Sequence, residues 1–96
     1  MNKEEVKEKI GLEIDFLREK YHIERIGVFG SVARDENNEK SDIDILVDFS
    51  TPIGFFDFIR LETFLSKILG KEVDLISRRA LKPSIKEDVL RETIYV

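Results

Sequence analysis

The chain has 96 residues, 42% of them hydrophobic and 38% charged, a balance that fits one globular domain spanning 1–96 with a modest core and excludes a disordered chain. Its net charge of −4 argues against a general nucleic-acid binder, which would carry a basic excess or stripe. It has no cysteine, which removes disulfides, thiolate metal sites and a cysteine nucleophile. The opening MNKEEVKEKI lacks an apolar signal region, and no run reaches the ~20 apolar residues of a membrane span, so a cytoplasmic location is expected.

Val6, Ile10, Ile14, Leu17 and Tyr21 recur at helical spacing and predict an amphipathic helix over about 3–20. Residues 25–30 read as a short strand ending at glycine. The polar, aperiodic RDENNEKS at 34–41 reads as a loop. Residues 42–49 read as a second strand. Ser-Thr-Pro at 50–52 reads as a helix entry, with proline in the first turn. Phe55, Phe58, Leu61, Leu65, Ile68 and Leu69 form a helical stripe that stops at Gly70. A third strand is expected at 72–77, and Pro83 opens a last helix over 83–92 with Ile85 and Val89 on one face. This order predicts an α/β domain, a small mixed sheet flanked by helices. The loop between the first two strands is too short for a full helical crossover, so that pair is expected to be antiparallel or mixed.

Two aspartates stand at the start of the otherwise apolar second strand. Strand side chains alternate, so Asp42 and Asp44 share one face while Ile43, Ile45, Val47 and Phe49 take the other. The two positions lie about 6.6 Å apart along the strand. Carboxylates so placed converge on cations about 3.5–4 Å apart, the separation of two-metal phosphoryl-transfer sites. Without a cation they repel, and one pKa rises. Oxygen ligands suit Mg²⁺. Asp74, in the third strand, reaches the same face if that strand pairs beside the second. An ordinary solvated face is the competing explanation, but three aspartates in strands are disfavoured by propensity. Asp48 and Glu72 read as solvated edge residues.

Gly30-Ser31 follows the first strand directly. Glycine admits a close backbone approach to a ligand, and Ser31 is expected to cap a helix start whose amides favour phosphate. Alone, a Gly-Ser pair is equally a plain strand-to-helix turn. Together with the aspartates it spells G-S-x(10)-D-x-D. This pattern resembles the signature of the DNA polymerase beta-like nucleotidyltransferase superfamily. GSVAR and SDIDILVDF look like its minimal nucleotidyltransferase (MNT) branch. The resemblance runs over nearly the whole chain.

That resemblance implies the nucleotidyltransferase fold and transfer of a nucleoside monophosphate, AMP from ATP, with two Mg²⁺ ions. It implies that Gly30 and Ser31 hold the triphosphate, that Asp42 and Asp44 bind metal, and that Asp74 completes the metal site and helps activate the attacking hydroxyl. Arg34 matches a basic position of the GSxAR form and either reaches phosphate or pairs with Asp35, Glu36 or another acid. Short members of the family are often antitoxins that modify a tyrosine of a HEPN-domain ribonuclease toxin with AMP, so such a toxin is the expected partner. Two alternatives stand beside this: a binding module that neutralises by contact, and a small-molecule nucleotidyltransferase, which the lack of an evident acceptor domain disfavours. Neither membrane association nor stable nucleic-acid binding is expected, and an oligomer is compatible with the pattern.

Other residues read more plainly. His22 sits at a helix end. Phe49, Phe55, Phe56, Phe58 and Phe64 read as core or as a patch shared with a partner. Arg78, Arg79 and Lys82 form a basic cluster, either a solvated loop or an aid to triphosphate binding.

Overall fold

The computed structural model describes residues 1–96. Its elements are α1 (Lys3–Leu12), α2 (Ile14–Tyr21), β1 (Ile23–Phe29), α3 (Gly30–Ala33), β2 (Ile43–Phe49), α4 (Phe55–Leu69), β3 (Val73–Ser77), a 3₁₀ turn (Arg78–Ala80), α5 (Pro83–Glu92) and β4 (Ile94–Tyr95). The strands form one mixed sheet in the order β3-β2-β1-β4, so the expected α/β architecture is present.

The predicted first helix is two. Val6, Ile10, Leu17 and Tyr21 are buried as the stripe requires, but the helix breaks at Glu13. There the backbone leaves helical geometry, and the Glu13 N–H donates to Ile10 and Gly11 carbonyls. Gly11, a weak helix former, stands in that last turn. Asn2 begins α1 with a reciprocal cap: its side chain accepts from the Glu5 N–H at 2.9 Å, and Glu5 reaches back to the Asn2 amide.

β1 and β2 pair antiparallel, one of the two arrangements expected for this pair. β2 and β3 pair parallel, joined by a crossover that carries α4. Ile43, Ile45 and Val47 of β2 and Val73 and Leu75 of β3 point to one face. They pack with Val6, Ile10 and Leu17 and with Leu61, Leu65 and Leu69 of α4 into one core cluster. Each such aliphatic side chain contributes about 1.5–3 kcal/mol by leaving water. The even positions of β2 and β3 face the other way, whereas Ile26 and Val28 of β1 join the core. On that second face the cover is thinner: the 3₁₀ turn packs on β2, and α5 packs on α3. Leu46 is buried on this second face.

Three other expectations differ. Pro52 does not open α4, which begins at Phe55 after Gly54; proline's fixed φ suits the extended segment before the helix equally well. Ser31 is not a cap, because Phe29 occupies the N-cap position of α3 and no side chain caps that helix. β4 was not expected. It pairs antiparallel with β1 through Gly27↔Tyr95 and Val28↔Ile94, and glycine is what lets it close in. A Cβ at Gly27 would lie 2.7 Å from Thr93 Cγ2 and 2.8 Å from the Ile94 carbonyl oxygen. The helix stop at Gly70 and the start of α5 at Pro83 fall where expected.

Candidate active site

The site begins with a register. Asp44 of β2 and Asp74 of β3 are direct partners in the parallel pair, and both lie on the thinly covered face. Asp42 precedes the strand by one residue. The three charges act on one another. Burial holds the Asp44 carboxyl above the usual carboxylate range, and the charges of Asp74 and then Asp42 push it further in the same direction. Arg34 partly offsets them, and Glu92 adds to them.

Gly30 sits directly against Asp44. Its φ is +72°, a left-handed conformation, and a Cβ there would overlap Asp44 Oδ2 and stand 3.2 Å from Asp44 Cβ. The glycine therefore serves twice: it turns the chain from β1 into α3, and it leaves room for the carboxylate. β1 ends opposite Asp44, through the pair Phe29↔Asp44, which places the Gly30-Ser31 turn beside it.

Arg34 ends α3 and pairs with acids. Its Nε donates to Glu36 at 3.1 Å and its Nη1 to Glu92 at 2.9 Å. These bonds, Glu36 first, hold its guanidinium more firmly protonated. Glu92 also accepts the Gly30 N–H, at 2.9 Å. Sequence reasoning missed Glu92. It stands 62 positions from Gly30, and no local pattern marks it.

A cavity of about 340 Å³ opens beside Asp44 and Asp74, walled by Phe29, Ile76, Leu81, Ile85 and Val89, with Lys82 among its lining residues. A second, of about 280 Å³, lies at the far end of β2 and β3 among Phe49, Phe55, Phe58 and Arg79, with no carboxylate in its wall. Arg78 donates to Asp48 at 3.5 Å, so these two form a pair rather than a solvated cation and a solvated edge acid. His22 takes the left-handed position at the end of α2. Phe55 and Phe56 are exposed, at 72% and 74%, while Phe49, Phe58 and Phe64 pack against the core.

The donor set suits a hard divalent cation: three carboxylates, no sulfur, no imidazole, and an Asp44 destabilised by its like-charged neighbours. Their side chains do not by themselves close into a three-ligand cluster. The chemistry of the residues fits Mg²⁺, with Asp42, Asp44 and Asp74 as the ligands it would take.

A left-handed glycine turn against paired carboxylates on adjacent strands is an arrangement compatible with nucleotidyl transfer. Residues 4–96 match the nucleotidyltransferase domain model, and the chain belongs to that family. Among its relatives is the protein adenylyltransferase MntA of Thermococcus cleftensis, 49% identical over 80 residues that cover 83% of this chain and 81% of the relative. Methanocaldococcus jannaschii MJ1217, provisionally named a protein adenylyltransferase, is 42% identical over 93 residues, 96% of this chain and 95% of its own. A solved structure assigned as a minimal nucleotidyltransferase superposes with a TM-score of 0.83 at 39% identity, covering 98% of this chain and 95% of that one. A toxin-antitoxin crystal structure with AMP-PNP superposes with a TM-score of 0.76 at 26% identity, covering 93% and 70%.

Proposed function

We propose that this chain, acting as one minimal domain over 1–96, is an Mg²⁺-dependent protein adenylyltransferase. It transfers AMP from ATP to a hydroxyl of a partner protein and acts as an antitoxin, the acceptor being a tyrosine of a HEPN-type toxin. One observation carries the reading: Asp44 and Asp74 are paired across β2 and β3 with the Gly30-Ser31 turn lodged against Asp44. The similarity to MntA and to the toxin-antitoxin structure with AMP-PNP supports the activity, the nucleotide and the kind of partner.

In this reading Gly30 and Ser31 hold the triphosphate, Arg34 adds positive charge beside it, and Asp42, Asp44 and Asp74 hold Mg²⁺. Bound there, the cation offsets the carboxylates' repulsion and stabilises charge on the attacking and leaving oxygens. The acceptor hydroxyl approaches through the largely apolar cavity beside Asp74. Asp74 takes the hydroxyl proton as the acceptor oxygen bonds to the α-phosphorus. The bond to the bridging oxygen breaks and pyrophosphate leaves. The partner's surface excludes water and fixes the hydroxyl, and orientation of this kind supplies much of the rate.

The exposed Phe55 and Phe56 also favour a second reading, neutralisation by contact alone. One experiment separates the two: incubate the chain with its partner, ATP and Mg²⁺, and follow the partner's intact mass and toxicity. Adenylyl transfer adds whole AMP units as toxicity falls. Neutralisation at unchanged mass supports contact alone.

A further inference from the structure

Glu92 is the last residue of α5, and its carboxylate spans two donors that lie far off in sequence. Oε1 accepts the Gly30 N–H at 2.9 Å, and Oε2 accepts from Arg34 Nη1 at 2.9 Å. These are the two groups that the nucleotide reading gives to phosphate. A carboxylate and a phosphate edge both present a pair of anionic oxygens, and both are bound by an amide and a guanidinium through charge-assisted bonds. The Gly30 amide has one hydrogen and serves one anion at a time.

We infer that Glu92 is a positioning residue that acts as a resident anion: it holds Gly30 and Arg34 in the nucleotide-free chain and is exchanged for the phosphates of the nucleotide. This rests on the proposed nucleotide reading. The exchange is local. The Glu92 side chain is 26% exposed, so rotation of the side chain alone carries its carboxylate into water. The backbone behind it stays tied, because the Thr93 N–H and hydroxyl both bond to the Val89 carbonyl, and β4 remains paired with β1. Arg34 keeps Glu36 as a partner throughout. Glu92 also adds negative charge near Asp44, a charge that its departure removes as the anionic nucleotide arrives. Two consequences follow. The resident carboxylate weakens binding of the triphosphate, and by returning to its donors it speeds release of pyrophosphate.

Calorimetric titration of wild type, Glu92→Gln and Glu92→Ala with Mg²⁺-ATP and with Mg²⁺-tripolyphosphate tests this. Thermal unfolding of each variant checks that it is folded. Both variants should bind both ligands more tightly, on the order of tenfold, the scale of one charge-assisted hydrogen bond. The gain must appear with tripolyphosphate, which has no base. Pyrophosphate should leave the variants more slowly. Binding that is weaker, or unchanged within about twofold, in folded variants overturns the exchange and leaves Glu92 as a strut for the turn. Failure of all three proteins, wild type included, to bind Mg²⁺-ATP overturns the nucleotide reading itself.

Discussion

Asp44 and Asp74 stand opposite one another in the parallel pairing of β2 and β3, two like charges on neighbouring strands of one sheet face. Burial and the charges of Asp74 and Asp42 hold the Asp44 carboxyl above its usual range, so the metal-free fold is stabler with that proton on than off. Asp44→Asn should therefore not lower the melting temperature of the metal-free protein, and Asp42→Asn should behave alike. Nucleotidyl transfer should fall ~100-fold or more in either variant. Thermal melts in chelator beside a transfer assay check both halves. Near-normal transfer by the double Asn variant contradicts the site.

The same carboxyl sets a pH dependence. Its folded-state pKa is raised, so between the unfolded and folded values the native state binds more protons than the unfolded one. Its contribution therefore makes stability fall as pH rises through that window. Above that window the metal-free protein carries the full penalty. The stability difference between Asp44→Asn and wild type should shrink as pH drops toward the carboxylate range. At neutral pH, Mg²⁺ should raise the melting temperature of wild type but not of the variant. Denaturant titrations across pH, with and without Mg²⁺, measure this.

Asp74 comes from a different strand and faces the cavity proposed for the acceptor. Asp74→Asn should lower turnover far more than ATP affinity, so that the loss falls on kcat. Steady-state kinetics with separate nucleotide binding would show it. An equal loss in both places Asp74 with the triphosphate instead.

Gly30→Ala adds a Cβ at a left-handed position that Asp44 already fills. The backbone strain alone costs about 1–2 kcal/mol. Displacement of Asp44 should abolish Mg²⁺-ATP binding as well, which calorimetry reads directly. A variant that melts and binds like wild type would mean that this turn is not the phosphate seat.

Phe55 and Phe56 lie near the start of α4 with most of their surface in water, although neighbouring Phe58 packs inward. Replacing both with serine should cost the chain little stability and leave Mg²⁺-ATP binding unchanged. Partner affinity should drop at least ~10-fold if the patch is the docking surface. A pull-down titration against the partner decides it.

Much of this site is legible in the residues themselves. Period-two alternation sets Asp44 opposite Ile43 and Ile45, and that alone predicts which face of β2 carries the charge; Asp42, expected in the same strand, lies one residue before it. Apolar spacing predicts α4 and its buried Leu61, Leu65 and Leu69. What escapes is non-local or subtle. β4 is two residues long, too short for alternation, and depends on the missing side chain of Gly27. The break at Glu13 leaves the apolar stripe intact, so periodicity passes over it. Glu92 ends an amphipathic helix as any solvated glutamate would. Its role comes from the packing of α5 on α3, which places it on Gly30 and Arg34.

The intact mass of a HEPN-type partner, after incubation with this chain, ATP and Mg²⁺, tests the central claim most directly. Wild type should shift the partner by one AMP unit or a small multiple, and the Asp42→Asn/Asp44→Asn protein should bind the partner yet leave its mass unchanged. A partner neutralised as fully by that double variant as by wild type, with no mass added by either, would contradict the account.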